Sequence, residues 1–177
     1  DAEGQGAVVD CLLDKGHRRI LYIAGPDNIS NTVDRLEGFR SAYVRRGLEI
    51  DPDLIVSSSG HIEDSYAKMN QALNRGLEFT AVACFNDLSA MSVIKSLYEN
   101  DLAVPRDVEV FGFDNLSIAQ FLRPSLSSVD VPKSRLGRLA VEELIAHIED
   151  PRKEYRTLYL KPRLVFRETA PMSIQAS

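Results

Sequence analysis

The chain contains no tryptophan and only two cysteines, Cys11 and Cys84, among its 177 residues. Each cysteine lies in an apolar stretch, and no CxxC pair or zinc-type spacing of Cys and His is found. We therefore predict neither a disulfide framework nor a metal site, and no cofactor is indicated. Unpaired thiols are typical of a reducing compartment, so a cytoplasmic location is expected.

Long apolar runs are absent as well. No stretch approaches the roughly 18 consecutive apolar residues that can cross a bilayer. Residues 1–6 also lack the basic and then apolar order of a secretory signal peptide. The sequence thus predicts no membrane partner, and the start at Asp1 suggests a chain that begins inside a longer protein.

The third absence is an excess of basic charge. The chain has 21 Lys and Arg against 26 Asp and Glu, which gives a net charge of −5 and a pI near 5.3. Nucleic-acid affinity depends largely on clustered Lys and Arg side chains that neutralise phosphates. We therefore expect that this stretch does not bind DNA by itself.

Familiar catalytic motifs are missing too. The sequence has no GxSxG elbow, no GxxxxGK[ST] phosphate loop, and no GxGxxG after the first predicted strand. Both cysteines are predicted to lie in the core, so neither is available as a nucleophile. Carboxylate pairs such as Glu142 with Glu143 are typical of a solvated helix face. An enzyme is not indicated.

The sequence does contain a regular alternation of short β-branched runs with stretches of helical period. Strands are predicted at residues 19–24, 54–57, 80–85 and 108–113, and helices at residues 4–14, 30–46 and 62–75 and after residue 86 or 87. The run TAVACF at 80–85 has no polar alternation, as expected for a strand covered on both faces. The predicted fold class is α/β, a parallel sheet flanked by helices.

Apolar spacing also predicts which helix faces point inward. For the first helix the predicted face is Ala7, Val8, Cys11 and Leu12; for the helix after residue 86 it is Leu88, Met91, Ile94, Leu97 and Tyr98. Gly16 and Gly47 are predicted to end the first two helices.

Polar residues follow each predicted strand. They are Asn28, Ser30, Asn31 and Arg35 after the first strand, Ser58, Ser59 and His61 after the second, Asn86 and Asp87 after the third, and Asp114 and Asn115 after the fourth. The carboxyl ends of parallel strands meet at one edge, where ligands bind in open α/β sheets. Amide, carboxylate and guanidinium groups match vicinal hydroxyls. The sequence therefore predicts a small polar ligand, such as a polyol, at this edge.

Each of these residues also has a purely structural interpretation. Arg35 can pair with a neighbouring acidic residue of its own helix, and Asn86, Asp87 or Asp114 can cap a helix whatever the function. The functional interpretation depends on loops from several strands converging on one edge of one sheet.

A series of motifs covers nearly the whole chain. They are GHRRI at residues 16–20 with GP at 25–26, R-x-x-G-F at 35–39, ND-x-x-A at 86–90, VP-x-D-V at 104–108, GFDN at 112–115, P-x-LSSV-x-x-P at 124–132 and P-x-LV-x-R at 162–167. In kind and order these motifs resemble those of the LacI/GalR family of transcriptional regulators. One departure is Asp101, which stands at a usual glycine and requires Asn100 or Asp101 to adopt the left-handed conformation.

This resemblance implies the type I periplasmic-binding-protein fold, in which two lobes are joined by chain crossings. Residues 1–128 would form the C-terminal lobe, and residues 129–163, with a helix at about 134–148, would belong to the N-terminal lobe. Residues 164–177 would return to the C-terminal lobe. The resemblance also implies that a DNA-binding head and most of the first lobe lie outside this sequence.

The resemblance further implies effector contacts at Arg35 and Asp114, which the pattern of strand ends also selects, and at Asn31, Phe85 and Asn86. Arg35 and Asp114 would hold opposite edges of a sugar, sugar phosphate or nucleobase-like molecule, against an apolar wall from Phe85. The implied partners are this small effector, operator DNA through the N-terminal head, and a second copy in a homodimer.

The function that follows is effector sensing in a LacI-type regulator that controls transcription allosterically. A second interpretation is a periplasmic solute-binding protein of a sugar transporter, which shares the fold; the GHRRI and P-x-LSSV-x-x-P motifs favour the regulator. A third is an α/β enzyme acting on nucleotides or sugar phosphates.

Overall fold

One six-stranded sheet organises the chain, whose computed structural model describes residues 1–172. The strands are β1 (Ile20–Ala24), β2 (Ile55–Ser57), β3 (Ala81–Cys84), β4 (Glu109–Phe113), β5 (Ser127–Asp130) and β6 (Arg163–Val165), in the spatial order β2-β1-β3-β4-β5-β6. All neighbouring pairs are parallel except β5 with β6, which is antiparallel. The predicted parallel α/β sheet is confirmed, with one antiparallel edge strand added.

Helices cover both faces of this sheet. They are α1 (Ala2–Asp14), α2 (Ser30–Arg45), α3 (Ile62–Asn74), α4 (Asp87–Glu99) and α5 (Lys133–Glu149). One apolar cluster packs α1 and α2 against the sheet through residues such as Leu12, Phe39 and Phe111. A second cluster packs α3 and α4 on the opposite face through residues such as Met69 and Val93. Within residues 1–172, no helix has the length and apolar character to span a membrane.

The helix ends follow the predicted backbone chemistry. Gly16 and Gly47, just past α1 and α2, have φ of 98° and 63°. Asp101, after α4, has φ of 59°, so the left-handed residue expected at the missing glycine is Asp101. A residue without a Cβ has no steric penalty there, and Asp tolerates the conformation better than most other residues.

The inward faces of two helices differ from the prediction. In α1 the buried apolar side chains are Val8, Val9, Leu12 and Leu13, whereas Ala7 and Cys11 are half-buried. The prediction that Cys11 lies in the core is therefore wrong, and only Cys84 is fully buried. The reason is that α1 packs against α2 as well as the sheet, so its buried face turns toward both.

The deviation is larger in α4. Tyr98 is exposed, and the inner face consists of Ser89, Ala90, Ser92, Val93, Ile94, Ser96 and Leu97. Small side chains let α4 approach α3 and the sheet closely. Their hydroxyls are satisfied locally: Ser92 donates to the Ser89 carbonyl at 2.8 Å and Ser96 donates to Asn70 Oδ1 at 3.0 Å. Of the predicted face, Ile94 and Leu97 are buried and Leu88 and Met91 are half-buried, so hydrophobic spacing was wrong about Tyr98 and missed the small residues that complete the inner face.

The segment after β5 differs from the rest of the chain. Helix α5 has no buried residue, and residues 150–162 form neither helix nor strand before β6 pairs with β5. The chain then packs against the sheet again, with Thr169 and Ala170 buried. The division at residues 128 and 163 stays a prediction, and residues 173–177 of the predicted last segment lie outside the described residues.

Candidate functional site

Arg35 lies at the carboxyl edge of the sheet, in the second turn of α2, and its side chain is only 5% exposed. Its Nε donates to Asp1 Oδ1 at 2.8 Å, one terminal nitrogen donates to the Phe85 carbonyl, and the other lies 3.4 Å from Asp114 Oδ1. A guanidinium has five N–H donors, so part of its donor capacity is still uncommitted. Such a group can hold a small polar molecule together with Asp114.

Two phenylalanine rings support this guanidinium. Arg35 Cζ lies 3.7 Å from the centroid of the Phe113 ring and 4.7 Å from that of Phe85. These distances are those of cation–π contacts. Burial is the main effect that lowers the pKa of Arg35 below its ordinary value, and the carboxylate of Asp114 opposes it. The arginine stays charged, because its pKa in water is so high.

Phe85 fits into a slot that two glycines leave open. A Cβ on Gly25 would lie 2.7 Å from the Phe85 ring, and a Cβ on Gly60 would lie 3.1 Å from it. The ring is consequently buried, and its edge contacts the loops that follow β1 and β2. The Phe85 ring therefore supports the guanidinium of Arg35 and is not an exposed apolar wall of the site.

Asp114 begins a turn with unusual backbone geometry. Asp114 has φ of 99° and Asn115 has φ of 47°, both in the region that favours glycine. Backbone of this kind costs free energy and persists only where neighbouring contacts hold it. The Asp114 side chain is 36% exposed, so its carboxylate remains accessible beside the buried Arg35.

Several contacts hold this turn. The Asp114 amide donates to the Val129 carbonyl at 3.0 Å, and the Asn115 amide donates to Ser128 Oγ at 3.0 Å. The Lys133 ammonium donates to the Asp114 carbonyl. The turn is thus tied to β5 and to the first residue of α5.

The other two predicted effector residues have separate settings. Asn31 lies one helical turn before Arg35 on the same side of α2 and is half-buried. Asn86 is the N-cap of α4, because its Oδ1 accepts from the Ser89 amide at 2.8 Å, and its Nδ2 donates to the Gly60 carbonyl at 3.0 Å. The structural interpretation of Asn86 is therefore realised, while effector contact by either residue stays a prediction.

The remaining polar residues at this edge serve mainly the loops. Ser58 donates to the Ala24 carbonyl at 2.7 Å and lies 3.2 Å from Ser65 Oγ, which in turn lies 2.9 Å from Ser89 Oγ. His61 is the N-terminal boundary residue of α3 and is exposed. The buried hydroxyls of Ser58, Ser65 and Ser89 form a row that joins α3 to α4 behind the site.

Two residues of the site escape an analysis of sequence alone. Phe113 is part of a motif, but only the packing shows that its ring contacts Arg35. Asp1 reaches Arg35 because α1 crosses α2 very closely at Gly38, where a Cβ would lie 2.2 Å from the Ala2 carbonyl oxygen. The glycine of R-x-x-G-F was the available signal, since the lack of a side chain permits such a close crossing.

Comparison with known proteins shows the family to which this chain belongs. The family model described as a periplasmic binding protein-like domain matches residues 9–170. The ribose operon repressor of Escherichia coli strain K12 is 38% identical over 159 residues, which are 90% of this chain and 48% of that protein. The ribose operon repressor of Haemophilus influenzae is 35% identical over 158 residues, 89% of this chain and 48% of the relative. The chain thus spans about half the length of the curated relatives it matches.

Solved structures show the same similarity. The transcriptional regulator CelR in complex with cellobiose superposes with a TM-score of 0.88 at 32% identity, covering 95% of this chain and 51% of that one. A LacI-family sugar-binding regulator from Escherichia coli, complexed with phosphate, has a TM-score of 0.89 at 26% identity, covering 97% and 62%. The predicted similarity to LacI/GalR regulators is confirmed, and the chain belongs to the family of periplasmic binding protein-like domains.

Proposed function

We propose that this chain is the effector-sensing part of a LacI-type transcriptional regulator. The observation that carries the proposal is the buried, ring-supported Arg35 beside the accessible carboxylate of Asp114, at the edge where ligands bind in parallel α/β sheets. The similarity to ribose operon repressors and to LacI-family structures supports it.

In this function, Asp114 accepts hydrogen bonds from ligand hydroxyls or ring N–H groups, and the remaining donors of Arg35 bind ligand oxygens. Asn31 and Asn86 add amide contacts, while Phe85 sets the depth of the site. Effector binding controls transcription only if the ligand prefers one arrangement of the protein over another, so the sensor must exist in two states.

The effector class we propose is a small sugar, a sugar phosphate or a nucleobase-like molecule. Relatives named as ribose operon repressors and as the HTH-type transcriptional repressor PurR have similar sequence identity to this chain, 38% and 35%. A pairing of carboxylate and guanidinium suits both ligand types, because each presents donors and acceptors around a flat or polyhydroxylated ring.

The lobe division also belongs to this proposal. Residues 1–128 and 164–177 would form the C-terminal lobe, and residues 129–163 would belong to an N-terminal lobe. The outward apolar side chains of α5, including Leu144 and Ile148, support this division because a solvated helix rarely carries such a face. Operator DNA would be bound only through a head that precedes this lobe in the longer protein.

We further propose a cytoplasmic homodimer without catalytic activity. Tyr98 is 47% exposed on the outer side of α4, and Ile62 is 42% exposed at the start of α3, which supports pairing through these helices. Sedimentation of the intact regulator at micromolar concentration would measure this state.

The relatives are repressors, which supports a binding function over an enzymatic one.

The main competing function is a periplasmic solute-binding protein with the same ligand chemistry. The discriminating observation is the segment that precedes Asp1 in the gene. A helix-turn-helix there would support the regulator, and a secretory leader would overturn it.

The site is tested by a thermal-shift screen of the intact protein against D-ribose, other pentoses and hexoses, sugar phosphates and purine bases, followed by titration of the best binder. Asp114→Asn should weaken binding by about 1.5–3 kcal/mol, roughly tenfold to a hundredfold, the scale of a hydrogen bond to a charged group. Asp114→Asn is the sharpest variant because Asp114 is partly exposed and the change is nearly isosteric.

Arg35→Ala should show the same loss of affinity but also a lower melting temperature, because the side chain is buried between contacts. Arg40→Ala, an exposed change on the same helix, is the matched control and should leave binding unaltered. Unchanged affinity in both Asp114→Asn and Arg35→Ala would exclude this edge as the effector site.

A further inference from the structure

A second aspartate, Asp87, lies fully buried behind the effector edge. One of its carboxylate oxygens accepts from Ser128 Oγ at 2.5 Å, and the other accepts from the Leu116 amide at 2.6 Å. Asp87 is the first residue of α4, but Asn86 supplies the cap of that helix. Helix capping therefore does not explain why a carboxylate is buried at this position.

The fold makes room for this carboxylate at a specific place. A Cβ on Gly112 would lie 2.3 Å from Asp87 Oδ1, so only glycine permits the approach. Gly112 pairs with Ser128 across β4 and β5, which places the carboxylate over that strand pair. The glycine of the GFDN motif is thus required by Asp87, two residues before the effector residue Asp114.

The two groups that donate to Asp87 both lead to the turn at Asp114 and Asn115. Leu116 is the residue directly after the turn, and its amide is bound by Asp87. Ser128 donates to Asp87 and accepts from the Asn115 amide, so one hydroxyl joins the carboxylate to the turn. The two backbone amides on either side of Asn115 are consequently held by Asp87, that of Leu116 directly and that of Asn115 through Ser128.

The same turn is also bound to the strands through which the chain leaves and re-enters the lobe. The Asn115 amide nitrogen Nδ2 donates to Asp130 Oδ1 at 3.0 Å, and Asn115 Oδ1 accepts from Arg167 at 2.8 Å. Asp130 ends β5, and Arg167 follows β6 by two residues. The turn is therefore hydrogen-bonded both to the end of β5 and to the residues that follow β6.

We propose that Asp87 is the positioning residue of the effector site: its carboxylate holds the 114–116 turn and β5 together so that the carboxylate of Asp114 faces Arg35. This inference rests on the proposed effector-sensing function. Asp87 does not touch the ligand; it acts through the backbone of the turn. Two acceptors are needed at this point, since both the Leu116 amide and the Ser128 hydroxyl donate.

Burial shifts the ionisation of the Asp87 carboxyl to a higher pH than that of an exposed aspartate. Burial is the largest effect and raises the pKa of Asp87 to about 6, while the hydrogen bonds from Ser128 and Leu116 oppose it. Asp114 lies close enough to raise this pKa further, and Arg167 lowers it. Arg35 and the thiol of Cys84 also interact with the Asp87 charge.

The experiment measures affinity and melting temperature of the intact protein for Asp87→Ala, Asp87→Asn, Ser128→Ala and Ser127→Ala. D-ribose, D-glucose, D-ribose 5-phosphate and a purine base are the probes, and the one that stabilises the unaltered protein most is titrated. Asp87→Ala should weaken its binding about tenfold to a hundredfold, and Ser128→Ala roughly threefold to tenfold. In Asp87→Asn the amide offers one acceptor for two donors, so an intermediate loss is expected.

Ser127→Ala is the matched control. Ser127 is the neighbouring, equally buried serine of β5, but its hydroxyl contacts Arg167 and Ala170 backbone and none of the groups in the turn. Both serine variants should lose stability, since each loses buried hydrogen bonds. Only Ser128→Ala should lose affinity if the contact acts through the turn.

A pH series separates positioning from general stabilisation. A group whose folded pKa is raised contributes stability below its unfolded pKa and loses it as pH rises through about 6. Affinity should change in the opposite direction, because the ionised Asp87 holds the turn, and should fall below about pH 6. In Asp87→Asn the decrease in affinity below about pH 6 should disappear, except for any contribution from other titrating groups.

The outcomes distinguish the two proposals. Loss of affinity in Arg35→Ala but in none of the Asp87 and Ser128 variants overturns the positioning inference and leaves the proposed function intact. Equal loss in Ser127→Ala and Ser128→Ala also overturns it. If Asp87→Ala does not fold, Ser128→Ala and Asp87→Asn decide the question. If no probe raises the melting temperature, or if Arg35→Ala leaves the affinity for the bound probe unchanged, the proposed function is overturned, and the inference with it.

Discussion

Helices α4 and α5 are both amphipathic by sequence, yet one is packed in the core and the other has no buried residue. Helix α4 buries small residues together with Val93, Ile94 and Leu97 between α3 and the sheet, and only Tyr98 among its large apolar side chains is exposed. Helix α5 buries nothing, and Leu144 and Ile148 are 61% and 69% exposed. The contrast shows that periodicity reports a face that can be buried, but the surrounding elements decide which face is buried, and whether any is.

The largest effect on stability is expected from substitutions at two adjacent residues of α4, one buried and one exposed. Leu97→Ala should lower the free energy of unfolding by about 2–5 kcal/mol, because Leu97 is fully buried and its removal leaves a cavity. Tyr98→Ala should change it by less than about 1 kcal/mol in the monomer, since that side chain is half-exposed. Chemical denaturation measures both. Similar losses in the two variants would contradict the inner face described here.

The next effect compares glycines in the packed and the unpacked regions. Gly38→Ala places a Cβ against the Ala2 carbonyl and should destabilise the chain by about 1–3 kcal/mol, as overpacking does. Gly137→Ala in α5 meets nothing within 4 Å and should stabilise the helix by about 0.5–1 kcal/mol. Thermal unfolding followed by circular dichroism checks the two signs, and a stable Gly38→Ala variant would refute the close crossing of α1 and α2.

The smallest effect concerns the exposed face of α5. Leu144→Ala and Ile148→Ala should each change the stability of this 177-residue chain by no more than about 0.5 kcal/mol. In the intact regulator the same changes should cost more, if α5 packs onto an N-terminal lobe as proposed. Denaturant titration of both forms makes the comparison. Equal small effects in the two would count against assigning residues 129–163 to that lobe.

Much of the fold could be predicted because its signals are local. The glycines that end α1 and α2, the left-handed Asp101 and the apolar run of β3 each depend on the backbone or burial of a few neighbouring residues. The antiparallel pairing of β6 could not be predicted, because a strand of three residues carries too little pattern to reveal its direction.

The candidate site divides in the same way. Arg35 and Asp114 were selected from strand ends and motif positions, and the structure brings them within 3.4 Å of each other. For Asp87 the sequence left two interpretations, a polar residue of the ligand edge or a helix cap, because Asn86 and Asp87 suit the cap equally well. The difference between them depends on contacts with residues more than 25 positions away in the chain, at Leu116 and Ser128.

The sequence by itself determined the alternation of strands and helices, the parallel sheet, and the edge at which polar residues collect. These features follow from hydrophobic period and from turn chemistry, which act over a few residues. Tertiary structure alone decided that the serines of α4 are buried while Tyr98 is exposed, that Asp1 reaches Arg35, and that Asp87 is tied to the turn at Asp114. Those outcomes depend on how closely distant segments approach, and close packing sets that distance only when every element is in place.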